Sequence, residues 1–283
     1  MTRSVRPPLR PGWLIVDDEP LFHRTGGPDT TALGPIVHVH GFGISGTYLE
    51  PTAALLAQRH PCYVPDLPGS GRSPRPSVPL DIPGMARVLI DYLDANDLSR
   101  ATFVGNSLGC VVLVELAAAY PERIDRLALV SPAGGPNNQP MTRALWQMAL
   151  DGPREPISLW PIAVSDYVRF GIPRSWALFR AMTAYPTLER LRSLRAPTLV
   201  IGGSRDPLVD FERASVFAGL PHVDVVRVPG AHALNFSRPA LIAELIEAHL
   251  EGRDLSALGI GVEVVAVPTH PATVPRARSD ATD

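Results

Sequence analysis

Gly105-Asn106-Ser107-Leu108-Gly109 lies where an apolar, strand-like run over residues 101–104 gives way to an apolar, helix-like run over residues 110–120. Pentapeptides of the form Gly-x-Ser-x-Gly are common, and it is the position of this one that makes it informative. At a strand-to-helix turn, the flanking glycines lack the Cβ atoms that would clash as the backbone doubles back, and the central hydroxyl projects above the sheet. The first N–H groups of the helix point towards the same place. The stretch therefore predicts an α/β fold with Ser107 as a candidate nucleophile.

The chain has 283 residues, 45% of them hydrophobic, which is enough to bury the core of one large α/β domain or two small ones. Its formal net charge of -2 favours neither nucleic acid nor an anionic membrane as a partner. No run approaches the roughly 20 apolar residues of a membrane span, and the basic residues 1–11 lack the apolar stretch of a signal peptide. We therefore expect no nucleic-acid or membrane partner, and the oligomeric state stays open.

The numbers of cysteine and lysine residues exclude several kinds of catalytic and cofactor chemistry. Cys62 and Cys110 fall on different predicted elements and indicate buried thiols in a reducing, cytoplasmic compartment. All 26 basic residues are arginine, which excludes lysine Schiff-base chemistry and a Walker-type phosphate site. No Cys/His cluster has the spacing of metal ligands, and no Gly-x-Gly-x-x-Gly follows a strand. We therefore expect neither a metal nor a cofactor.

Strand-like and helix-like patterns alternate along the chain, which is typical of a mostly parallel sheet with helices on both faces. An opening hairpin is predicted over residues 13–24, with its turn at Asp17-Asp18-Glu19-Pro20. Further strands are predicted over residues 36–40, 62–65, 101–104, 126–130, 198–202 and 223–228, and helices over residues 47–59, 83–95, 110–120, 211–218 and 239–250. Together these elements predict an eight-stranded sheet.

Two regions break this alternation. Residues 133–195 lie between two strands, are too long for a simple crossover and are rich in Trp, Met and Phe, so they predict an inserted helical cap. The tail, residues 253–283, is rich in Pro, Arg, Ser and Asp near its end, and we expect it to be disordered from Pro268 onwards. Residues 1–11 are likewise predicted to be disordered. The α/β core then comprises residues 12–132 and 196–252.

Several motifs follow one another in a fixed order along residues 13–250. They are His40-Gly41-Phe42-Gly43 after the third strand, Asp66-Leu67-Pro68-Gly69-Ser70-Gly71-Arg72-Ser73 after the fourth, the Ser107 turn, Asp206 after a late strand and His232 after the last. In this order the chain resembles the α/β-hydrolase superfamily, whose catalytic residues come in the sequence Ser, Asp, His. The resemblance implies cofactor-free serine hydrolase chemistry.

A serine hydroxyl needs a base to take its proton as it attacks a carbonyl. His232 is the candidate base, because it lies in the small-residue loop Pro229-Gly230-Ala231-His232 after the last strand, from which an imidazole can reach Ser107. Its alternative role is that of an ordinary surface-loop histidine. His40 is better explained as a support for its own turn, and His222 precedes its strand and so falls at the opposite end of the sheet.

The base in turn needs a carboxylate that fixes its tautomer and stabilises the imidazolium. Asp206 directly follows the strand over residues 198–201, and Pro207 can hold it at the end of that strand. Asp210 is the rival, with an alternative role as the N-cap of the next helix. Asp66 also ends a strand, but it precedes the serine and is interpreted as part of a structural turn.

The oxyanion of an acyl-transfer reaction needs a pair of N–H donors. The backbone N–H groups of Leu108 and Phe42 are the candidates. The residues predicted to support the two turns are His40, Gly41, Gly43, Gly105 and Gly109. The alternative interpretation of the Phe42 loop is a plain strand-ending turn.

The aromatic residues of the predicted cap, with Trp146, Trp160 and Trp176 as candidates, indicate an apolar substrate pocket, although cap helices also bury apolar residues for packing alone. We predict a carboxylesterase-like enzyme that cleaves a small or medium apolar ester or lactone through an acyl-enzyme. Asn106 resembles carbon–carbon bond hydrolases of ring-cleavage diketones, but these commonly carry Trp where this chain has Ala233. A non-catalytic ligand-binding receptor on the same fold is the alternative of a different class.

Overall fold

A computed structural model describes residues 9–28, 33–211, 219–258 and 263–266, and within them nine strands form one sheet. The strands are β1 (Arg10–Val16), β2 (Glu19–Gly26), β3 (Ile36–Val39), β4 (Cys62–Pro65), β5 (Ala101–Ser107), β6 (Ile124–Pro132), β7 (Thr198–Gly203), β8 (Val223–Val228) and β9 (Glu263–Ala266). Their order across the sheet is β1-β2-β4-β3-β5-β6-β7-β8-β9. The six central strands, β3 to β8 in chain order, run parallel, whereas β1, β2 and β9 pair antiparallel with their neighbours. The predicted α/β fold with a mostly parallel sheet is confirmed.

The sheet has one strand more than the eight predicted. β9 comes from the segment predicted to be a tail and pairs antiparallel with β8, for example through Val264 and Val226. Four residues are too short a run to stand out in the sequence, and the pairing covers the edge that β8 would otherwise expose. At the other end, β1 begins at Arg10, inside the predicted disordered N-terminus. The disorder predicted for residues 1–8 and 268–283 lies outside the described residues.

The helices lie largely where the sequence places them. They are α1 (Glu50–Leu56), α2 (Ile82–Ala95), α3 (Leu108–Ala119), α4 (Met141–Asp151), α5 (Trp160–Phe170), α6 (Ile172–Ala184), α7 (Thr187–Arg190), α8 (Leu234–Ser237) and α9 (Pro239–Glu251). The helix predicted over residues 47–59 is divided into a 3-10 turn, Gly46–Leu49, and α1, because Pro51 has no N–H to continue the preceding turn. Apart from Phe211, the helix predicted over residues 211–218 lies outside the described residues. No helix in the described ranges has the length and apolarity to cross a membrane.

The hairpin of β1 and β2 turns within two residues. Asp17 and Asp18 both have positive φ, 49° and 61°, as a two-residue hairpin turn of type I′ requires at both central positions. Val16 then pairs with Glu19 in the ladder. The turn predicted at residues 17–20 is therefore tighter than expected, and Glu19 and Pro20 already belong to β2.

The side chains of the central strands alternate between two apolar layers. Phe103 on β5 packs in the layer of α2 and α3, whereas its neighbour Val104 packs in the layer of α1 and α9. In α3, nine of the twelve residues are buried, so this helix is apolar on nearly every side. Because β5 and α3 are both buried, the turn that joins them at Ser107 is held by the core on either side.

Residues 133–195, between β6 and β7, carry the helices α4 to α7, and we call them the cap segment. Ala144 of α4 and Leu178, Phe179 and Met182 of α6 join the same apolar layer as α2 and α3. In the same segment, Asn137 and Asn138 donate hydrogen bonds to the Leu208 carbonyl, at 2.8 and 3.1 Å. The cap segment is therefore anchored both on the core and on the loop that follows β7.

Gly109 lies in the first turn of α3, where the helix passes directly over β3. A Cβ at this position would collide with the Val39 carbonyl oxygen and lie 3.0 Å from that of His40. We expect Gly109→Ala to lower the free energy of unfolding by about 2 kcal/mol or more, because backbone cannot move aside as a side chain can. Urea denaturation measures the change.

Gly219→Ala is the matched control, since a Cβ there meets no described atom within 4 Å. Alanine at such an open position is neutral or slightly stabilising. Equal stabilities of the two variants would contradict the close approach of α3 to β3.

Candidate active site

Ser107 joins β5 to α3 in a backbone conformation that residues other than glycine rarely adopt. Its φ is 55° and its ψ is -115°, and such strained positions cost about 1–3 kcal/mol. The glycines on either side make the turn sterically possible: a Cβ on Gly105 would lie 2.9 Å from the Cys110 nitrogen, and one on Gly109 would collide with Val39. The turn thus has the strand-to-helix geometry predicted from the pentapeptide.

Asp206 and His232 meet above the ends of β7 and β8. The Nδ1 atom of His232 lies 2.8 Å from Oδ2 of Asp206, whose side chain is fully buried. The other carboxylate oxygen, Oδ1, accepts a hydrogen bond of 2.8 Å from the Leu208 N–H. Of the two carboxylates weighed in the sequence, the structure therefore brings Asp206 to His232 and leaves Asp210 further along the loop.

The loops that carry these two residues are joined to each other by their backbones. The N–H of Arg205 donates to the Gly230 carbonyl at 2.9 Å, and that of Ser204 donates to Val228 at 2.8 Å. The loops approach so closely at Gly203 that a Cβ there would lie 2.5 Å from the Gly230 oxygen and still closer to that of Ala231. Gly203 is thus a positioning residue that the sequence did not single out.

The charges around His232 favour its protonated form. Burial opposes protonation, but the Asp206 charge and hydrogen bond outweigh it, and the nearby carboxylates of Asp151 and Glu155 add to them, so that the pKa of His232 rises to about 9. For Asp206, burial again opposes the charge, while His232 and the Leu208 N–H hold the pKa below its ordinary value. The pair is therefore built to stabilise an imidazolium next to a carboxylate.

Ser107 and His232 line the same cavity, which has a volume of about 540 Å³. The wall is mostly apolar and includes Ile44, Met148, Leu159, Trp160, Val164, Val168, Met182 and Leu208. The volume and the apolar wall suit a small or medium-sized organic ligand. The two acidic side chains in the wall are Asp151 and Glu155, and the described lining residues include no arginine.

The three tryptophans proposed from the sequence for this cavity have different positions. Trp160 lines the cavity, whereas Trp146 and Trp176 are absent from its described wall and are 64% and 48% exposed. In α4 the buried face carries Ala144, Gln147 and Asp151, and Trp146 falls between them on the other side of the helix. For Trp146, its position around the helix axis, and not its aromatic character, decides that it lies away from the cavity.

The loop after β3 approaches Ser107 closely. A Cβ on Gly41 would lie 3.2 Å from Ser107 Cβ, and one on Gly43, whose φ is 71°, would run into the ring of Tyr167. His40 supports the turn from below: its Nδ1 donates to the Gly41 carbonyl at 2.9 Å and its Nε2 accepts from the Leu67 N–H at 2.8 Å. The next N–H along the loop is that of Phe42, a cavity-lining residue.

The other proposed N–H donor is that of Leu108. Leu108 is the first residue of α3, so its N–H has no acceptor within the helix. Phe42 and Leu108 thus flank Ser107 from the loop and from the helix. The Phe42 ring also packs against Phe170 and Phe179 of the cap segment, with centroids 5.2 Å apart in both pairs.

A tyrosine that the sequence did not single out connects the elements of the site. Tyr48 is fully buried; its hydroxyl accepts from the Gly41 N–H at 2.9 Å and donates to Oδ1 of Asn106 at 2.6 Å. The Asn106 amide in turn donates to the carbonyls of Val130 and His232, at 3.0 and 3.2 Å. This chain of hydrogen bonds joins the Phe42 loop, the Ser107 turn and the His232 loop, and it explains Asn106 without reference to the reaction.

Two carboxylates of the cap segment also contact the His232 loop. Oδ1 of Asp151 accepts from the His232 N–H at 3.3 Å, and Oε1 of Glu155 accepts from the Ala233 N–H at 2.6 Å. Burial raises the pKa of both, that of Asp151 to about 7. The sequence contains no motif that would have identified them, because their role depends on where the cap segment docks.

Comparisons with known proteins agree with this architecture. The chain matches the model of the alpha/beta hydrolase family over residues 36–245. RutD of Azorhizobium caulinodans, named as a candidate carbamate hydrolase, is 28% identical over 81% of this chain and 94% of its own. Esterase YbfF of Escherichia coli is 26% identical over 76% of this chain and 92% of its own. The solved enol-lactonase from Burkholderia xenovorans LB400 has a similar fold, with a TM-score of 0.71, 22% identity and coverage of 85% and 100%.

Tyr48→Phe removes the hydroxyl that joins Gly41 to Asn106 and leaves both of these buried groups without their partner. We expect the free energy of unfolding to fall by about 1–3 kcal/mol, and turnover of an ester substrate to fall with it. Chemical denaturation and initial rates measure the two effects. Tyr120→Phe, at the far end of α3, is the control: its hydroxyl interacts with the exposed Arg87, so stability should change by no more than about 0.5 kcal/mol and the rate should not change. A Tyr48→Phe variant with unchanged stability and rate would contradict the bridging role.

Proposed function

The chain belongs to the alpha/beta hydrolase family, and on that basis we propose that it is a serine hydrolase acting on a small or medium-sized, uncharged ester or lactone. The observation that carries the proposal is the 2.8 Å contact between His232 and Asp206, with His232 and Ser107 on the wall of one apolar cavity. Ser107 is the nucleophile, His232 the base and Asp206 the carboxylate that orients it.

In the first half of the reaction, Ser107 Oγ attacks the carbonyl carbon while His232 Nε2 takes the hydroxyl proton. The hydrogen bond from Nδ1 to Asp206 fixes the tautomer that leaves Nε2 free to accept. The tetrahedral intermediate collapses, the bond to the leaving alcohol breaks, and the alcohol departs with the proton from His232. Water then attacks the acyl-enzyme by the same steps and releases the acid.

The negative oxygen of each tetrahedral intermediate is stabilised by the N–H groups of Phe42 and Leu108. One donor of this kind contributes about 2.7–4 kcal/mol to lowering the barrier. Because Gly41 donates its own N–H to Tyr48, the N–H of Phe42 is the next donor along the loop. Backbone donors persist in side-chain variants, so the support of the loop, and not the Phe42 side chain, is what mutagenesis can test.

The cavity favours an uncharged substrate. Its wall is mostly apolar and contains two carboxylates but no arginine among the described residues, so a substrate carboxylate would be desolvated without a cationic partner. The similar proteins include an esterase, a lactonase and a candidate carbamate hydrolase by name. All three names describe attack on a carbonyl that bears a heteroatom leaving group, which supports an ester or lactone here.

We expect a fluorophosphonate probe to label Ser107, because the activated hydroxyl attacks phosphorus as it attacks a carbonyl. Mass spectrometry locates the adduct. Ser107→Ala should remove both labelling and turnover, and His232→Ala should slow both by several orders of magnitude. Ser193→Ala, a solvent-exposed serine, is the control and should react as the wild type does. An unlabelled Ser107 in folded protein would instead support a ligand-binding role without catalysis.

The preference for uncharged esters can be measured with two p-nitrophenyl esters of equal length, the hexanoate and the adipate monoester. We expect kcat/KM for the anionic ester to be at least about tenfold lower, because like charge and desolvation both oppose its binding. A chain-length series and a vinylogous diketone complete the comparison. Preference for the anionic ester, or for the diketone over every ester, would contradict the proposed substrate class.

A further inference from the structure

The segment over residues 151–155, which ends α4 and forms the following 3-10 turn, contacts both loops of the acid–base pair, and we call it the cap turn. Asp151 and Glu155 accept hydrogen bonds from the consecutive N–H groups of His232 and Ala233. Between them, Nη1 of Arg154 donates to the Arg205 carbonyl at 2.9 Å, one residue before Asp206. One turn of the cap segment therefore holds both loops.

We propose that Asp151 and Glu155 are positioning residues that fix the His232 loop to the cap segment and set the pH range in which His232 acts as a base. The proposal rests on the proposed function for the role of His232, but the contacts do not depend on it. Asp151 is buried and Glu155 is half-buried, and both line the cavity beside Ser107.

The loop has little else to fix its N–H side. Gly230 and Ala231, the residues before His232, have no polar side chain that could form a hydrogen bond, and within the loop Asn106 binds only the carbonyl of His232. The cap turn supplies the acceptors for the N–H groups of His232 and Ala233. Contacts on both sides of this backbone fix the position from which the imidazole reaches Ser107, and misplacement of a reacting group by about 1 Å can cost about a hundredfold in rate.

Docking alone does not require charged groups. A neutral amide oxygen would accept the same hydrogen bonds, whereas burying carboxylates carries a desolvation penalty. Glu155 Oε2 is shut off from solvent and has no hydrogen-bond partner among the described residues. The hydrogen bonds alone therefore do not explain why both residues are carboxylates. Their negative charge beside His232 does, because it stabilises the protonated imidazole.

The titratable groups that face His232 come from several elements. Asp206 lies on the loop after β7, and Asp151 and Glu155 lie on the cap turn. The hydroxyls of Tyr48 and Tyr167 each interact with one of the cap-turn carboxylates, Glu155 and Asp151 respectively. Burial opposes the positive charge of His232, and the three carboxylates together raise its pKa to about 9.

The sign of the pH effect follows from the role of the base. Only neutral His232 accepts the proton of Ser107, so kcat/KM rises as pH rises through the pKa of His232. Removing the negative charges of the cap turn destabilises the imidazolium and lowers that pKa. The rise in activity then moves to lower pH.

The test uses the full-length chain with Asp151→Asn and Glu155→Gln combined, since both amides keep an oxygen acceptor and lose the charge. In the Ser107→Ala background, NMR titration of labelled histidine, assigned with His232→Asn, should show the His232 pKa lower by about one unit or more. With Ser107 intact, the acid limb of kcat/KM should move in the same direction. Glu122→Gln removes an exposed charge far from the site and should move neither.

Replacing the same two residues by alanine removes the acceptors as well. We expect kcat to fall by about tenfold to a hundredfold with KM little changed, and a thermal melt establishes that each variant is folded. An unshifted His232 titration in the double amide variant would overturn the inference. Because the titration needs no turnover, it fails or succeeds separately from the serine hydrolase proposal, which is tested by labelling of Ser107.

Discussion

The backbone of Ser107, held at φ 55° between a buried strand and a buried helix, is the constraint on which the rest of the site depends. A turn of this kind stores about 1–3 kcal/mol of strain and persists only where its surroundings over-determine it. Here β5 and α3 fix the two ends through the core, and glycines at residues 105 and 109 admit the neighbouring backbone. The side chain before the turn, Asn106, ties it to the loops on both sides.

The elements around Ser107 are joined by two kinds of contact. On the sheet side the contacts are neutral hydrogen bonds, from Gly41 through Tyr48 and Asn106 to the carbonyl of His232. On the cap side they are carboxylates on the N–H groups of His232 and Ala233. The neutral contacts fix geometry, whereas the charged ones act on both the geometry and the protonation of the imidazole. The cap segment thus contributes more than an apolar wall to the site.

Much of the architecture could be predicted from the sequence because it is written in local patterns. Apolar runs of strand length mark the parallel strands, and the carboxyl ends of such strands meet at one edge, which is why Asp206 and His232 could be paired across 26 residues. β9 was not predicted, because a run of four residues forms a recognisable strand only when it pairs with β8. The sequence also did not identify three residues of the site, because their roles depend on contacts between distant segments: Tyr48, Asp151 and Glu155. The aromatic content of the cap segment led to the prediction that Trp146 and Trp176 line the cavity, but Trp146 lies on the face of α4 that points away from it.

The central claim, that Ser107 carries the acyl group, is tested most directly by rapid-quench mass spectrometry during turnover of a p-nitrophenyl ester. The chain contains no lysine, so trypsin cleaves it only at arginine, and the peptide over residues 101–123 contains Ser107 as its one serine. We predict that this peptide gains the mass of the acyl group on the time scale of the first turnover and loses it when substrate is exhausted. Turnover of the ester without an adduct on this peptide, or with the adduct on another residue, would contradict the claim.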